Sequence, residues 1–278
     1  LSITLTLTNF VQNNNDVTAA YTANVDDGKL LKDAAGNTVS NNSSITIVTT
    51  NDTNSPDVLT VTSSTTDGTY DINDIVAVNV KFDEVVTVTG TPQLTLETGD
   101  VDRAVDYVSG SGSDTLLFNY TVQSGDVSGD LAYGGVSALA LNSGTILDNA
   151  TNAATLTLPA VGGTGSLSNS SALVIDGVRP AFTGGAVTAG TKTLVLSLGE
   201  AVSGTPDAGD FAVTVASASN AVTAVSVANN GLSITLTLTN FVQNNNDVTA
   251  AYTANVDDGK LLKDAAGNTV SNNSSITI

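Results

Sequence analysis

Apolar and polar residues alternate along most of this chain with a period of two. Leu232, Ile234, Leu236 and Leu238 are separated by Ser233, Thr235 and Thr237. One face is therefore apolar and the other bears hydroxyls, the pattern of an antiparallel strand with one face buried. The same pattern recurs at Val76, Val78, Val80 and Phe82, and at Leu194, Leu196 and Leu198. Further strands are expected near residues 211, 222 and 248 and over Ala172 to Ile175. Between them lie clusters such as Asn13-Asn14-Asn15-Asp16 and Gly110-Ser111-Gly112-Ser113. These are turn formers, because Gly tolerates positive φ and Asn and Asp bond to nearby backbone. No stripe of helical period competes. Many short strands with closely spaced turn signals predict an all-β chain built of antiparallel β-sandwiches.

The pattern is also written twice. Leu1 to Ile47 return without a change as Leu232 to Ile278, a period of 231 residues (residue 1 to residue 232). So long a period suits two domains per unit in a tandem array better than one solenoid turn. Two proline-bearing polar segments, Asn51 to Asp57 and Val178-Arg179-Pro180, mark linkers. They divide the chain into a half-domain (1–50), a whole domain (57–178) and a second whole domain (180–278). The half-domain is expected to hold strands at Leu1 to Thr8, Val17 to Ala23 and Ser44 to Ile47. It lacks the strands that its twin carries at about 193–228, so its apolar face (Leu1, Ile3, Leu5, Leu7) needs cover. Neighbouring repeats of one continuous array would give it, as would another subunit docked head to tail into a filament.

Composition narrows the chemistry. Hydrophobic residues make up 41% of the chain but aromatics only 4%, and Trp is absent, so Val, Leu, Ile and Ala must build the cores. Asp and Glu number 27 against 8 Lys and Arg, a formal charge of -19, which repels phosphate backbones and argues against nucleic acid as a partner. Only Glu84, Glu97 and Glu200 are Glu; the other acids are Asp, a residue of turns and of hard-cation sites. There is no Cys and no His, which removes disulfides, thiol chemistry and the usual acid-base, nucleophilic and zinc constellations. No run of about 18 apolar residues suggests a membrane span. No export leader opens the sequence, so any such signal is expected outside this window.

The two whole domains resemble each other. Val80 to Val86 (VKFDEVV) and Gly90-Thr91-Pro92 align with Leu196 to Val202 (LSLGEAV) and Gly204-Thr205-Pro206. Ile146 to Asn152 (ILDNATN) aligns with Leu261 to Asn268 (LLKDAAGN). With the exit Val174 to Pro180 (VIDGVRP), these stretches look like bacterial Ig-like tandem repeats of large secreted or surface-attached proteins, adhesins among them. The resemblance covers nearly the whole chain. It implies tandem Ig-like antiparallel β-sandwiches in a linear array, an extracellular or cell-surface location, and calcium stiffening the domain junctions.

Strand order says where the acids should meet. Strands run from pole to pole of a sandwich, so counting them assigns each loop to a pole. In the second domain Asp176, Glu200 and Asp264 should converge at the pole where the chain enters. In the first domain the count brings together Asp57, Glu84 and Asp148, with Asp52 and Asp83 nearby. Carboxylates crowded in one site either raise a pKa or demand a cation, and Ca²⁺ takes six to eight oxygens of this kind. Leu198-Gly199 stands where the first domain has Phe82-Asp83, so the second site is expected to have fewer ligands. The Asp264 loop also reads as a plain tight turn, with Gly267 at positive φ and Asp264 capping it.

Other activities fit less well. Asp83 and Glu84 could suggest a glycosidase pair, but adjacent strand residues point to opposite faces. The sequence thus reads as a non-enzymatic structural segment, a stalk, fibre or spacer. The alternative is an adhesion module for surface glycans or proteins, using the stretch Asp100 to Gly112 as an exposed loop and Tyr107, Tyr120 and Tyr133 as contact aromatics.

Overall fold

The alternating stretches fold as strands whose apolar positions turn inward. The computed structural model describes residues 17–21, 42–47, 52–243, 247–257 and 259–278. The first described strands are β1 (Val17–Tyr21) and β2 (Asn42–Ile47), an antiparallel pair with Tyr21 opposite Asn42. The expected strand at residues 1–8 lies outside the described residues.

The next strands are β3 (Val58–Ser63), β4 (Gly68–Tyr70), β5 (Ile75–Thr89), β6 (Gln93–Glu97), β7 (Arg103–Ser109) and β8 (Ser113–Thr121). Short pieces follow: β9 (Val127–Ser128), β10 (Ala132–Tyr133), β11 (Leu139–Ala140) and β12 (Thr145–Leu147), then β13 (Leu173–Asp176). One sheet runs β10-β6-β7-β8-β5-β12, with β3 beside β5 and β11 beside β6; a smaller one runs β4-β13-β9. Val76, Val78, Val80, Phe82, Leu116, Phe118, Leu173 and Ile175 lie in one core with the rest of this domain. Two features depart from expectation. Strand β5 continues beyond the alternating run Val76 to Phe82 as far as Thr89, with an irregularity between Lys81 and Val86. And β13 pairs with β4 in parallel, Leu173 opposite Gly68. A single helical turn, α1 (Leu167–Ser170), precedes β13.

The second domain is a sandwich of two four-stranded antiparallel sheets. The first is ordered β14 (Phe182–Val187), β15 (Thr191–Leu198), β19 (Ser233–Val242), β18 (Val222–Val227). The other is ordered β17 (Ala218–Ser219), β16 (Phe211–Val215), β20 (Val248–Tyr252), β21 (Asn273–Thr277). Leu194, Leu196, Ile234, Leu236 and Leu238 face Phe211, Val213, Ala250, Tyr252 and Ile276 across a second core. Tyr252 lies between Phe182 and Phe211, with centroids 5.5 and 5.1 Å away, so the few aromatics are spent on the centre. In β20 and β21 Tyr252 stands opposite Asn273, the register that their copies β1 and β2 adopt. Among the described residues no helix is long and apolar enough to cross a membrane.

Candidate metal centres at the upstream poles

Each sandwich has an upstream pole, where the chain enters, and a downstream pole, where it leaves. At the second domain's upstream pole, the loop after Leu262 folds around Asp264. One of its carboxylate oxygens, Oδ1, accepts the backbone N–H groups of Gly267 (2.8 Å) and Asn268 (2.9 Å). Gly267 has φ +117°, which an L side chain rarely adopts. Asn268 then ties the pole together. Its Nδ2 donates to Asp264 Oδ2 (3.1 Å) and to the Asp176 carbonyl (2.8 Å), and its Oδ1 accepts the N–H of Ile72 from the preceding domain (3.1 Å). Glu200 enters from the end of β15. Carboxylate oxygens of Asp176, Glu200 and Asp264 lie within 4.8 Å of one another.

The first domain repeats this arrangement. Asp148 Oδ1 accepts the Asn152 N–H (2.7 Å), and Asn152 Nδ2 donates to Asp148 Oδ2 (2.7 Å) and to the Asp52 carbonyl (3.0 Å). Here the group within 4.8 Å is Asp52, Glu84 and Asp148. Asp57 is not part of it. Its N–H donates to Asp83 Oδ1 (2.8 Å), while the Asp83 N–H donates to the Asp57 carbonyl (3.0 Å). The pair fastens the linker to β5, and the path through Pro56 carries Asp52, not Asp57, back to the cluster. At the second pole Gly199 keeps only the backbone half of that clasp, its N–H donating to the Ala181 carbonyl (3.0 Å). Asp83 is thus a clasp residue, and its replacement by Gly199 leaves three carboxylates at each pole.

Electrostatics separates these acids from the others. Asp126 is 1% exposed, yet it accepts from Arg103 Nε (2.8 Å) and Nη2 (2.6 Å), the Tyr120 hydroxyl (2.7 Å) and the Gln123 N–H (3.0 Å). It is a satisfied buried charge. Among the described residues no donor reaches the carboxylate of Glu84 or Glu200. Partial burial, then Asp264 and Asp176, push the Glu200 carboxyl above its ordinary value; burial, then Asp148, Asp52 and Asp83, do so for Glu84. A Glu without a donor, held close to two Asp carboxylates, is repelled by them, and that repulsion lowers the cost of taking up a cation.

Residues 181–257 match a protein family described as "Putative flagellar system-associated repeat". The match covers Glu200 but neither Asp176 nor Asp264, and its description speaks of a flagellar system and not of adhesion. No curated protein matches the chain.

Asn152 and Asn268 were not singled out from sequence, although the signal is there: Asp-x-x-x-Asn occurs at the matched place in both domains (Asp148 to Asn152, Asp264 to Asn268). The aromatics expected at an adhesive surface are elsewhere. Tyr120 and Tyr133 are buried, and Tyr107 packs edge-on against Phe118 at 6.2 Å between centroids. The stretch expected as an exposed loop, Asp100 to Gly112, is largely strand β7.

Proposed function

We propose that this chain is a structural stretch of a long tandem-repeat protein at a bacterial surface, spacing or assembling parts of a flagellar or other surface system without catalysis. In this reading its domains stand in series, and each joint takes Ca²⁺ at the upstream pole: Asp52, Glu84 and Asp148 in one domain, Asp176, Glu200 and Asp264 in the next. The observation that carries the reading is the recurrence of one constellation. Two Asp, a Glu and an Asn meet in the same way at both poles, although the surrounding loops differ in sequence. A hard cation prefers such oxygen donors, with water completing its shell. The cation would act by joining linker, strand end and turn, so that bending the joint must pull a ligand away.

The match to a flagellar-associated repeat supports the surface assignment, and the net charge of -19 makes nucleic acid an unsuitable partner. With Tyr120 and Tyr133 committed to the core, no observation favours a glycan-binding module. Calorimetric titration of the whole chain with Ca²⁺, followed by small-angle scattering with and without chelator, tests the proposal. Heat of binding and a stiffer, more extended particle in calcium are expected; no heat and identical scattering would overturn it.

A further inference from the structure

Four backbone hydrogen bonds recur at corresponding places in the two domains' poles, which lets the residues there be paired. At the upstream poles, Thr155 N–H to the Pro56 carbonyl (2.8 Å) corresponds to Ser271 N–H to the Pro180 carbonyl (3.2 Å). Likewise Ala154 N–H to Ile146 (3.0 Å) corresponds to Val270 N–H to Leu262 (2.9 Å). At the downstream poles, Asp74 N–H to the Asp71 carbonyl (3.1 Å) corresponds to Thr191 N–H to the Thr188 carbonyl (3.1 Å). Asn73 N–H to Val122 (3.0 Å) corresponds to Gly190 N–H to Val242 (2.7 Å).

The residues that differ between the matched poles differ in a concerted way. The first domain's downstream pole carries Asp71 and Asp74 where the second has Thr188 and Thr191, and Ile75 where the second has Lys192. The second domain's upstream pole carries Arg179 and Lys263 where the first has Ser55 and Leu147. In the joint between them the acidic pole meets the one that has cations. A cleft there is lined by Asp71, Ile72, Arg179, Gly267, Asn268 and Thr269. Shape follows charge. A Cβ built on Gly267 would stand inside contact distance of the Asp71 carboxylate, so a side chain here would push that carboxylate out of its present place. The first domain has Thr151 at that place, at φ 71°. Residues 1–47 repeat residues 232–278 of the second domain and lead into Asp52, so in an alternating array a downstream pole of the second domain's type would face it. That pole offers Thr188 in place of Asp71. It adds Lys192, which sits 5.0 Å over the ring of Phe241, itself 56% exposed. The upstream pole it would meet has Asp52, Asp57, Asp83, Glu84 and Asp148, and neither of the matched cations.

We propose that the poles are keyed, so that the two domain types must alternate. The Lys192 and Phe241 pole docks on the all-acidic pole of the next repeat's first domain, as Asp71 faces Arg179 and Lys263 across the described joint. Joining like to like is poorer in either case. First domain to first domain would set Asp71 against Thr151, whose side chain would displace that carboxylate, and Asp74 against a pole without the matched cations. Second domain to second domain would set Lys192 at a pole where Arg179 and Lys263 offset much of the charge of Asp176, Glu200 and Asp264, so the attraction is weaker there. This is specificity by misfit as well as attraction. It rests on the tandem repeat and not on a bound cation.

A swap at the described joint tests it in the whole 278-residue chain. The absence of native Cys lets Asn119→Cys and Ser226→Cys carry a fluorophore pair whose distance distribution reports the joint. Changing one side to the other type (Arg179→Ser, Lys263→Leu, Gly267→Thr) should broaden that distribution. Changing the facing side as well (Asp71→Thr, Asp74→Thr, Ile75→Lys) should narrow it again, because the pair now reproduces the other joint. Should the larger swap unfold a domain, as judged by near-UV circular dichroism, the pair Gly267→Thr and Asp71→Thr asks the same question of shape alone. The cycle is run both in calcium and in chelator, so a chain that binds no cation can still pass it. A one-sided swap as narrow as the parent, or a two-sided swap as broad as the one-sided, overturns the proposal.

Discussion

The two upstream poles hold the same four side chains in different surroundings. At the second, Asn268 is 3% exposed, because the preceding domain's Asp71-Ile72 turn lies over it and donates a backbone N–H. At the first, Asn152 makes the same bonds to its Asp and its linker carbonyl, yet it is only half-buried, and its Oδ1 has no partner among the described residues. At the second pole the cluster spans the joint, because Asp176 is the last residue of β13 while Glu200 and Asp264 belong to the domain that follows. The preceding domain thus supplies one carboxylate as well as the turn that covers Asn268. In the second joint that neighbour brings Asp71, whose carboxyl is raised chiefly by burial and then by Asp74, with Lys263 and Arg179 pulling the other way.

The largest effect should come from the acid that belongs to neither pole. Asp126→Ala strands Arg103 and the buried Tyr120 hydroxyl, and breaking such a buried pair costs about 3 kcal/mol. Thermal unfolding should show that loss equally in calcium and in chelator; a loss seen only in calcium would make Asp126 part of a cation site. Chelation of the parent comes next. Binding to the folded state alone adds about 2.7 kcal/mol at a hundredfold excess over Kd. Calorimetric midpoints should fall accordingly, and equal midpoints would remove the cation from the account. Glu200→Gln should abolish the second pole's share and leave the first pole's, with Glu84→Gln doing the reverse.

Asn268→Ala then breaks the comparison directly. It leaves buried groups of Asp264, Asp176 and Ile72 without a partner, at about 2 kcal/mol, and should widen the joint in scattering. Asn152→Ala, at a more open pole, should cost about 1 kcal/mol or less. Equal losses would mean that the covering turn contributes nothing.

The smallest effect is that of pH on the metal-free chain. Glu84 and Glu200 have carboxyls raised above the ordinary 4.5, so protonation favours the folded state. Their stabilising contribution is full below pH about 4.5 and disappears as pH rises through the raised values. Glu200→Gln should flatten that decline for the second domain in chelator; an unchanged slope would show the cluster to be electrostatically idle.

Much of this was readable in the residues. The alternation at Leu232 to Leu238 became β19, and that at Leu194 to Leu198 became β15, because an apolar face every second residue has one way to be buried. Counting strands between poles was enough to anticipate that Asp176, Glu200 and Asp264 would meet. What could not be counted was the path of irregular backbone. Asp52 and Asp57 flank the same proline, and only the Asp57 to Asp83 clasp decides which of them reaches the cluster. The parallel pairing of β13 with β4 is equally invisible, since it joins residues far apart in the chain without a local pattern. The apolar alternation of β5 is interrupted at Asp83-Glu84, where an irregular register absorbs both acids and lets the strand continue.

That parallel pair has a mechanical consequence. In a chain pulled from its two ends, β13 is drawn out through the downstream pole, while the entering segment is drawn the opposite way. Strand β4 lies beside β13 in the same direction, so the load runs along the ladder. Its hydrogen bonds share the force together and are not opened one after another from an end. A domain held in this way yields at a rate set by its unfolding barrier rather than by its equilibrium stability, so a train of them would behave as a tether that stays stiff under brief tugs and lengthens only under sustained load.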